Sequence, residues 1–234
     1  MMTQPPLDAQ NTERGQDQIR IWDVFIRIWH WITAGLIIAM WVTAEFGRMD
    51  LHIMLGIAFT GLLIFRIAWG FLGSSSARFS SFTATPARTV RYIRTVLSSA
   101  YKPPAGHSPI GGLSALALIL ALGAQITSGL LSMDTNGLHS GPLARFISYA
   151  DARLAGSIHE IVFNILLALI ALHLLAILFY TVVKRADLFG PMLTGKRKAS
   201  ATQEGAQSVL LPGPLAILLS LSISAGISLL LYSL

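Results

Sequence analysis

The feature that most constrains this chain is a long apolar run from Gly156 to Arg185, GSIHEIVFNILLALIALHLLAILFYTVVKR. It is long enough to cross a bilayer as one helix, which takes about 20 mostly apolar residues. His159 and His173 interrupt the run and would lie about four helical turns apart. At helical periodicity both side chains project from nearly one face, roughly 21 Å apart along the axis. Because polar rings are rare in hydrocarbon, these histidines predict a functional site.

The composition indicates a membrane protein. Of the 234 residues, 53% are hydrophobic and only 12% are charged, whereas soluble domains carry about 25% charged residues. The chain has no cysteine, which excludes disulfides, thiolate metal sites, iron–sulfur clusters and c-type haem attachment.

Five apolar runs are long enough to span a bilayer, and no segment alternates like a strand. We expect spans at about residues 23–45, 51–72, 112–133, 156–185 and 215–232. The predicted fold class is all-α integral membrane, a four-helix transmembrane bundle over residues 21–198 plus a fifth C-terminal transmembrane helix within residues 212–234. The polar residues 1–20 predict a disordered cytoplasmic tail, and residues 199–211 predict a linker.

Two polar connections contain amphipathic segments. Thr85-Pro86 predicts an N-cap followed by proline at the first helical position, and ARTVRYIRTVLSSAY has basic residues beside apolar ones at helical spacing. We expect this helix to lie on the membrane surface. The connection between the third and fourth spans contains GPLARFISYADARLAG, for which we expect a second interfacial helix.

The Lys and Arg residues set the orientation, because cytoplasmic loops carry an excess of them. Twelve flank the spans on the side of the N-terminus, against three on the other side. We therefore expect a cytoplasmic N-terminus and, after five spans, a periplasmic C-terminus. This topology accounts for the net charge of +6 and argues against nucleic acid as a partner.

Two further histidines match the depths of the first two. His52 lies in the first turn of the second span, near the outer surface and level with His159. His30 lies about four helical turns before the outer end of the first span, roughly 22 Å below that surface and level with His173. Helical geometry therefore predicts two pairs, His52 with His159 outside and His30 with His173 inside.

Two histidines that face each other between helices of an apolar bundle suit the axial positions of a haem iron. Zinc fits less well, because each level offers two histidines and no carboxylate or thiolate evident from the sequence. The alternative is a set of interior histidines bonded to helix hydroxyls. Four histidines at two matched levels favour haem, and they predict two haem b groups.

Arg66 lies about four helical turns after His52, so it faces the same way at the depth of the inner pair. There it could bind a haem propionate, or its side chain could extend to the cytoplasmic interface, and the sequence leaves both open. His107 and His139 lie in loops, where we expect ordinary solvated residues.

Four stretches of the chain resemble a known family. They are IRIWDVFIRIWHWI at the first span, FRIAWGFLGSSSARFSSF after the second, GHSPIGG before the third, and the helix of His159 and His173. They resemble the bacterial dihaem cytochrome b group, which includes cytochrome b561 and the cytochrome b subunit of nickel–iron hydrogenases. The resemblance covers residues 19 to about 198. It implies that the first four spans form the haem bundle, that the four histidines are its ligands, and that the protein lies in the bacterial inner membrane.

The function implied by this resemblance is electron transfer between a periplasmic redox protein and the membrane quinone pool. The partner would be a hydrogenase, a dehydrogenase or a cytochrome c. The resemblance favours an electron-transfer subunit of a respiratory oxidoreductase over a stand-alone enzyme such as a superoxide:quinone oxidoreductase. A non-redox channel or structural membrane protein is the alternative of another class, and it would require the four histidines to be incidental. The fifth span lies outside the resemblance.

Overall fold

The computed structural model describes residues 18–83, 85–97, 103–104, 106–202 and 208–234. The five long helices of this part are α1 (Val24–Glu45), α2 (Met49–Leu72), α5 (Pro109–Leu131), α6 (Tyr149–Val182) and α8 (Pro214–Tyr232). The shorter helices are α3 (Phe79–Phe82), α4 (Pro86–Leu97) and α7 (Phe189–Thr194), with 3-10 turns at Ala144–Phe146 and Ala199–Ala201. Strands β1 (Gln18–Arg20) and β2 (Lys196–Lys198) pair antiparallel.

Five helices of the described chain are long and apolar enough to cross a membrane, which confirms the all-α membrane fold class. Their bounds differ from the expected ones by a few residues because capping side chains set them. The Asp23 carboxylate accepts a hydrogen bond from the Ile26 amide at 2.9 Å and starts α1. The Ser108 hydroxyl accepts one from the Gly111 amide at 3.0 Å and starts α5.

Helix α4 confirms the amphipathic helix expected after Thr85. The Thr85 hydroxyl accepts a hydrogen bond from the Arg88 amide at 3.4 Å at its start. Tyr92 and Val96 are buried, whereas Arg88 and Arg91 are exposed. The helix therefore presents a basic face and an apolar face, as an interfacial helix requires.

The second interfacial helix, predicted over GPLARFISYADARLAG, is wrong. A 3-10 turn at Ala144–Phe146 leads into extended Ile147, and the chain then enters α6. Ser148 is the cause, because its hydroxyl accepts a hydrogen bond from the Asp151 amide at 3.1 Å and starts a helix that continues into the membrane. With 34 residues, α6 is about 51 Å long, which exceeds the roughly 30 Å of the hydrocarbon core.

The tail and the linker differ from the sequence expectation where the structure describes them. Residues 1–17 and 203–207 lie outside the described residues. Gln18–Arg20 is not a disordered segment but forms strand β1, and the Val209 amide donates to the Arg20 carbonyl at 3.0 Å. These backbone groups pair with one another, and they thereby join three parts of the chain at this end of the bundle.

The first four long helices pack as two pairs. Helix α1 lies against α2, α6 lies against α5, and α2 contacts α5, while backbone contact between α1 and α6 is sparse. An apolar layer of Phe59, Leu63, Leu122 and Leu166 fills the middle of the bundle. The packing therefore leaves a gap between α1 and α2 on one side and α6 on the other, and the four histidines project from these three helices.

Helix α8 packs along α2 through small residues. The Ser224 hydroxyl donates to the Gly61 carbonyl at 2.6 Å, and a Cβ at Gly61 would clash with the Ser228 hydroxyl. Small residues permit this close approach between membrane helices. Helix α8 thus supports the helix that carries His52 and Arg66.

Candidate functional site

The outer histidines lie side by side in the structure. The imidazole rings of His52 on α2 and His159 on α6 have centroids 6.2 Å apart and an interplanar angle of 84°. A metal–nitrogen bond of about 2 Å on each side, added to roughly 1 Å between each nitrogen and its ring centre, spans about 6 Å. The spacing therefore fits one metal ion between the two rings.

Each ring of the outer pair is held through its Nδ1 atom. His52 Nδ1 lies 2.9 Å from the Met40 carbonyl oxygen, and His159 Nδ1 lies 2.9 Å from the Gln125 carbonyl oxygen. Because a carbonyl can only accept, each Nδ1 carries the proton, which leaves the lone pair on Nε2. Metal-ligating histidines use this arrangement, in which a backbone carbonyl fixes the tautomer and the ring orientation.

A cavity of about 500 Å³ surrounds the outer pair between α1, α2, α5 and α6. Ligand and cofactor sites typically measure about 300–1,000 Å³. Gly56 and Gly129 line this cavity, and a Cβ at Gly129 would approach His159 Cε1 to 2.8 Å. The Gln125 amide nitrogen lies 3.1 Å from His159 Nε2, while its Oε1 is buried with no hydrogen-bond partner in the described chain. A cofactor bound to His159 would displace this flexible side chain.

The inner histidines lie towards the other end of the same gap. His30 on α1 and His173 on α6 are partly buried and within electrostatic reach of each other. His30 Nδ1 is buried and has no hydrogen-bond partner among the described residues. On α6, Leu166 lies midway between His159 and His173, and it is only 2% exposed. The apolar layer therefore separates the two histidine levels.

Arg66 is buried at the inner level and does not extend to the membrane surface. It is 3% exposed, and its guanidinium carbon lies between 5.1 and 6.0 Å from the ring centroids of Trp29, Phe79 and Phe82. Its Nη1 has no hydrogen-bond partner in the described part of the chain. Among the described residues, no carboxylate lies within 4.0 Å of its nitrogens, and the two contacts at ion-pair distance both involve His139. A buried guanidinium with an unpaired N–H is costly, so this site favours an anionic ligand.

The prediction of a solvated loop residue at His107 is wrong. Its ring packs against those of Phe82 and Trp22, with centroids 4.5 and 4.6 Å away, and its Nδ1 is buried without a hydrogen-bond partner among the described residues. Burial is the main cause that lowers the pKa of His107 to about 3. The one local signal in the sequence is Gly106, whose φ of +94° allows a sharp turn before this residue.

His139 lies in the loop between α5 and α6, as predicted. Its Nδ1 lies 3.4 Å from an Asp134 carboxylate oxygen, and its Nε2 lies 3.8 Å from one of Asp50. Across the described ranges, no three His, Asp or Glu side chains cluster closely enough to hold a metal ion.

A comparison with models of protein families identifies the family of this chain. The model of the family described as prokaryotic cytochrome b561 matches residues 21–195, which confirms the resemblance seen in the sequence. The matched range contains both histidine levels, Arg66 and His107, and it ends before α8. Searches of curated proteins and of solved structures gave no match.

Proposed function

Because the chain belongs to the prokaryotic cytochrome b561 family, we propose that it is a dihaem b-type cytochrome that transfers electrons between a periplasmic redox partner and the membrane quinone pool. Family membership and the five apolar helices give the coarser function, a multi-pass membrane cytochrome that binds haem b and takes part in electron transfer. Our proposal adds the number of haems, their ligands and the two electron partners.

The pairing of histidines at two levels of one gap is the observation that carries this proposal. His52 and His159 would hold the outer haem, and His30 and His173 the inner one. The 6.2 Å spacing of the outer rings supports the first assignment, and the electrostatic influence of His173 on His30 supports the second. Haem b supplies a one-electron couple between ferric and ferrous iron. Two histidines would leave the iron without an open position, which favours electron transfer over direct binding of oxygen.

The polypeptide holds the two haem positions at fixed depths in the bilayer. Helix α6 contributes one histidine to each level, and helical geometry fixes these at roughly 21 Å apart along its axis. Phe59 and Leu166 are 4% and 2% exposed and lie in the layer between the levels. This packed apolar layer excludes water from the space between the two positions.

The outer end offers a surface for a periplasmic partner. The segment before and at the start of α6 exposes Leu138, Phe146, Tyr149 and Leu154, each between 59% and 76% accessible. Helix α6 is also longer than the hydrocarbon core requires. Exposed apolar residues beside the outer histidine pair support docking of a redox protein at this end.

We assign quinone exchange to the inner end. Tyr180 lies about two helical turns beyond His173 on α6, so it projects from nearly the same face, about 10 Å nearer the cytoplasm. Its hydroxyl lies 3.3 Å from the hydroxyl of Tyr92 on α4. Hydroxyl groups at the edge of the membrane can donate hydrogen bonds to quinone carbonyls, which supports this placement.

The proposal also covers orientation and domain limits. We place the N-terminus in the cytoplasm, as the distribution of Lys and Arg predicts. Residues 21–198 form the haem domain, and residues 212–234 form an additional transmembrane helix. Because α8 packs along α2, this additional helix supports the haem domain from one side.

Single histidine variants test the ligand assignment. His173→Ala should lose the inner haem and keep the outer one, and His52→Ala should do the reverse, because the two pairs share no ligand. Asn164→Ala serves as the control and should keep both, because this exposed side chain of α6 lies outside the cavity. Haem per chain from a pyridine haemochrome assay and the surviving wave of a redox titration give the answer. Loss of both haems or of neither in the two ligand variants would contradict the pairing.

A further inference from the structure

Several buried polar atoms at the inner end of the bundle have no hydrogen-bond partner within the described ranges, Nδ1 of His30 among them. Three others lie on α2, in the loop that follows it and in the loop before α5. They are Nη1 of Arg66, Nδ1 of His107 and Oγ of Ser76. Buried polar atoms are paired in the great majority of cases. Three unpaired atoms in one region therefore indicate a group that these residues bind and that the polypeptide does not supply.

Contacts with neighbouring residues place Arg66, His107 and Ser76 in one region, which we call the cluster. The centroid of the Phe82 ring lies 6.0 Å from the guanidinium carbon of Arg66 and 4.5 Å from the centroid of the His107 ring. A Cβ at Gly106, the residue before His107, would lie 3.9 Å from Ser76 Cβ. Helix α2, the loop that follows it and the loop before α5 therefore meet at this place.

The cluster lies at the level of the inner histidine pair. His107 is within electrostatic reach of both Arg66 and His173. The spacing from His52 to Arg66 on α2 equals that from His159 to His173 on α6, so Arg66 and His173 have similar depths. A cofactor held between His30 and His173 would thus have its edge near the cluster.

The positive charge of Arg66 favours an anionic ligand in this cluster. Asp23 is within electrostatic reach of Arg66, but its two oxygens already accept hydrogen bonds from three other residues. With its pKa lowered by burial to about 3, His107 is neutral at neutral pH and donates one N–H. A guanidinium, an imidazole N–H and a hydroxyl together form a donor set for a carboxylate.

We infer that Arg66, His107 and Ser76 bind a propionate carboxylate of the inner haem, which makes His107 a cofactor-binding residue contributed by the loop before α5. The inference rests on the proposed function and extends it to a residue outside the spans. Arg66 donates through Nη1, His107 through Nδ1 and Ser76 through its hydroxyl.

Two substitutions at His107 separate hydrogen bonding from packing. His107→Phe keeps a ring against Phe82 and Trp22 but removes both nitrogens. His107→Asn loses the ring but places an amide N–H near the position of Nδ1. The measurements are haem content and the midpoint potentials of both haems, determined by optical redox titration of the purified protein. Asn164→Ala, an exposed position on α6 outside the cavity, is the control.

We expect His107→Phe to lower the potential of the inner haem or to release that haem, because the carboxylate charge is then less compensated and disfavours reduction. His107→Asn should remain closer to the wild type, and the outer haem should be unchanged in both.

A wild-type inner potential in His107→Phe would overturn the inference, and so would a larger effect in His107→Asn than in His107→Phe. An altered rate of quinone reduction with unchanged potentials would also overturn it, since the cluster would then serve the quinone. A wild-type protein without two haems would instead refute the proposed function itself.

Discussion

Replacing Gly129 by alanine should disrupt the outer haem and leave the inner haem in place. A Cβ at this position would lie 2.8 Å from Cε1 and 3.1 Å from Nδ1 of His159. Ordinary contacts between carbon atoms are about 3.5–4.0 Å, so the imidazole would have to move by roughly 0.7 Å. The ring cannot move freely, because its Nδ1 is bonded to the Gln125 carbonyl at 2.9 Å.

This displacement is large for a metal ligand, since ligand distances in metal sites hold to within about 0.2 Å. The substitution should not weaken the helix itself, because alanine in a helix is favoured over glycine by about 0.5–1 kcal/mol. Gly123→Ala on the same helix is the matched control, since a Cβ there meets nothing within 4 Å.

Both variants would be purified and compared with the wild type by pyridine haemochrome assay and by electron paramagnetic resonance. Gly129→Ala should contain one haem per chain, or two of which the outer one has become high-spin. Gly123→Ala should contain two low-spin haems. Two low-spin haems at wild-type potentials in Gly129→Ala would refute the assignment of His159 as an outer ligand.

Three further predictions test other parts of the structure. Arg66→Leu should lower the potential of the inner haem in a redox titration, because a nearby positive charge stabilises the reduced iron; unchanged potentials with full haem content would exclude a propionate contact. Gly61→Ile should separate α8 from α2, destabilise the protein by about 1–3 kcal/mol and lower its thermal midpoint. Gly226→Ile should leave the thermal midpoint unchanged, because a Cβ at that position meets nothing within 4 Å. Equal thermal midpoints for the two variants would count against the packing of α8. A topology reporter fused after Lys198 should be cytoplasmic and one after Leu234 periplasmic, and signals on the same side would mean that α8 does not span.

Helical geometry explains how much of the site the sequence could predict. The rise and rotation of an α-helix convert the spacing between two residues into a depth and a direction. The depths of His52 and His159 followed from their positions within the spans, and the structure has their rings 6.2 Å apart. The same argument gave the depth of Arg66. Its burial against three aromatic rings depends on the loop after α2, which periodicity does not describe.

The wrong predictions at His107 and before α6 concern segments between the long helices. His107 looked solvated because its local sequence is polar, yet its position is set by contacts with Phe82 and Trp22, which are distant in the chain. The false interfacial helix before α6 arose differently. Its apolar residues have helical spacing, but Ser148 caps a new helix within the segment, and one hydrogen bond decided the boundary.

The number and spin state of haems in the purified wild-type protein test the central claim most directly. A pyridine haemochrome assay gives haem b per chain, and electron paramagnetic resonance distinguishes low-spin iron with two histidine ligands from iron with an open position. Four histidines in two pairs predict two haems b per chain, both low-spin. One haem per chain, or a high-spin signal from the intact protein, would contradict the two-level arrangement.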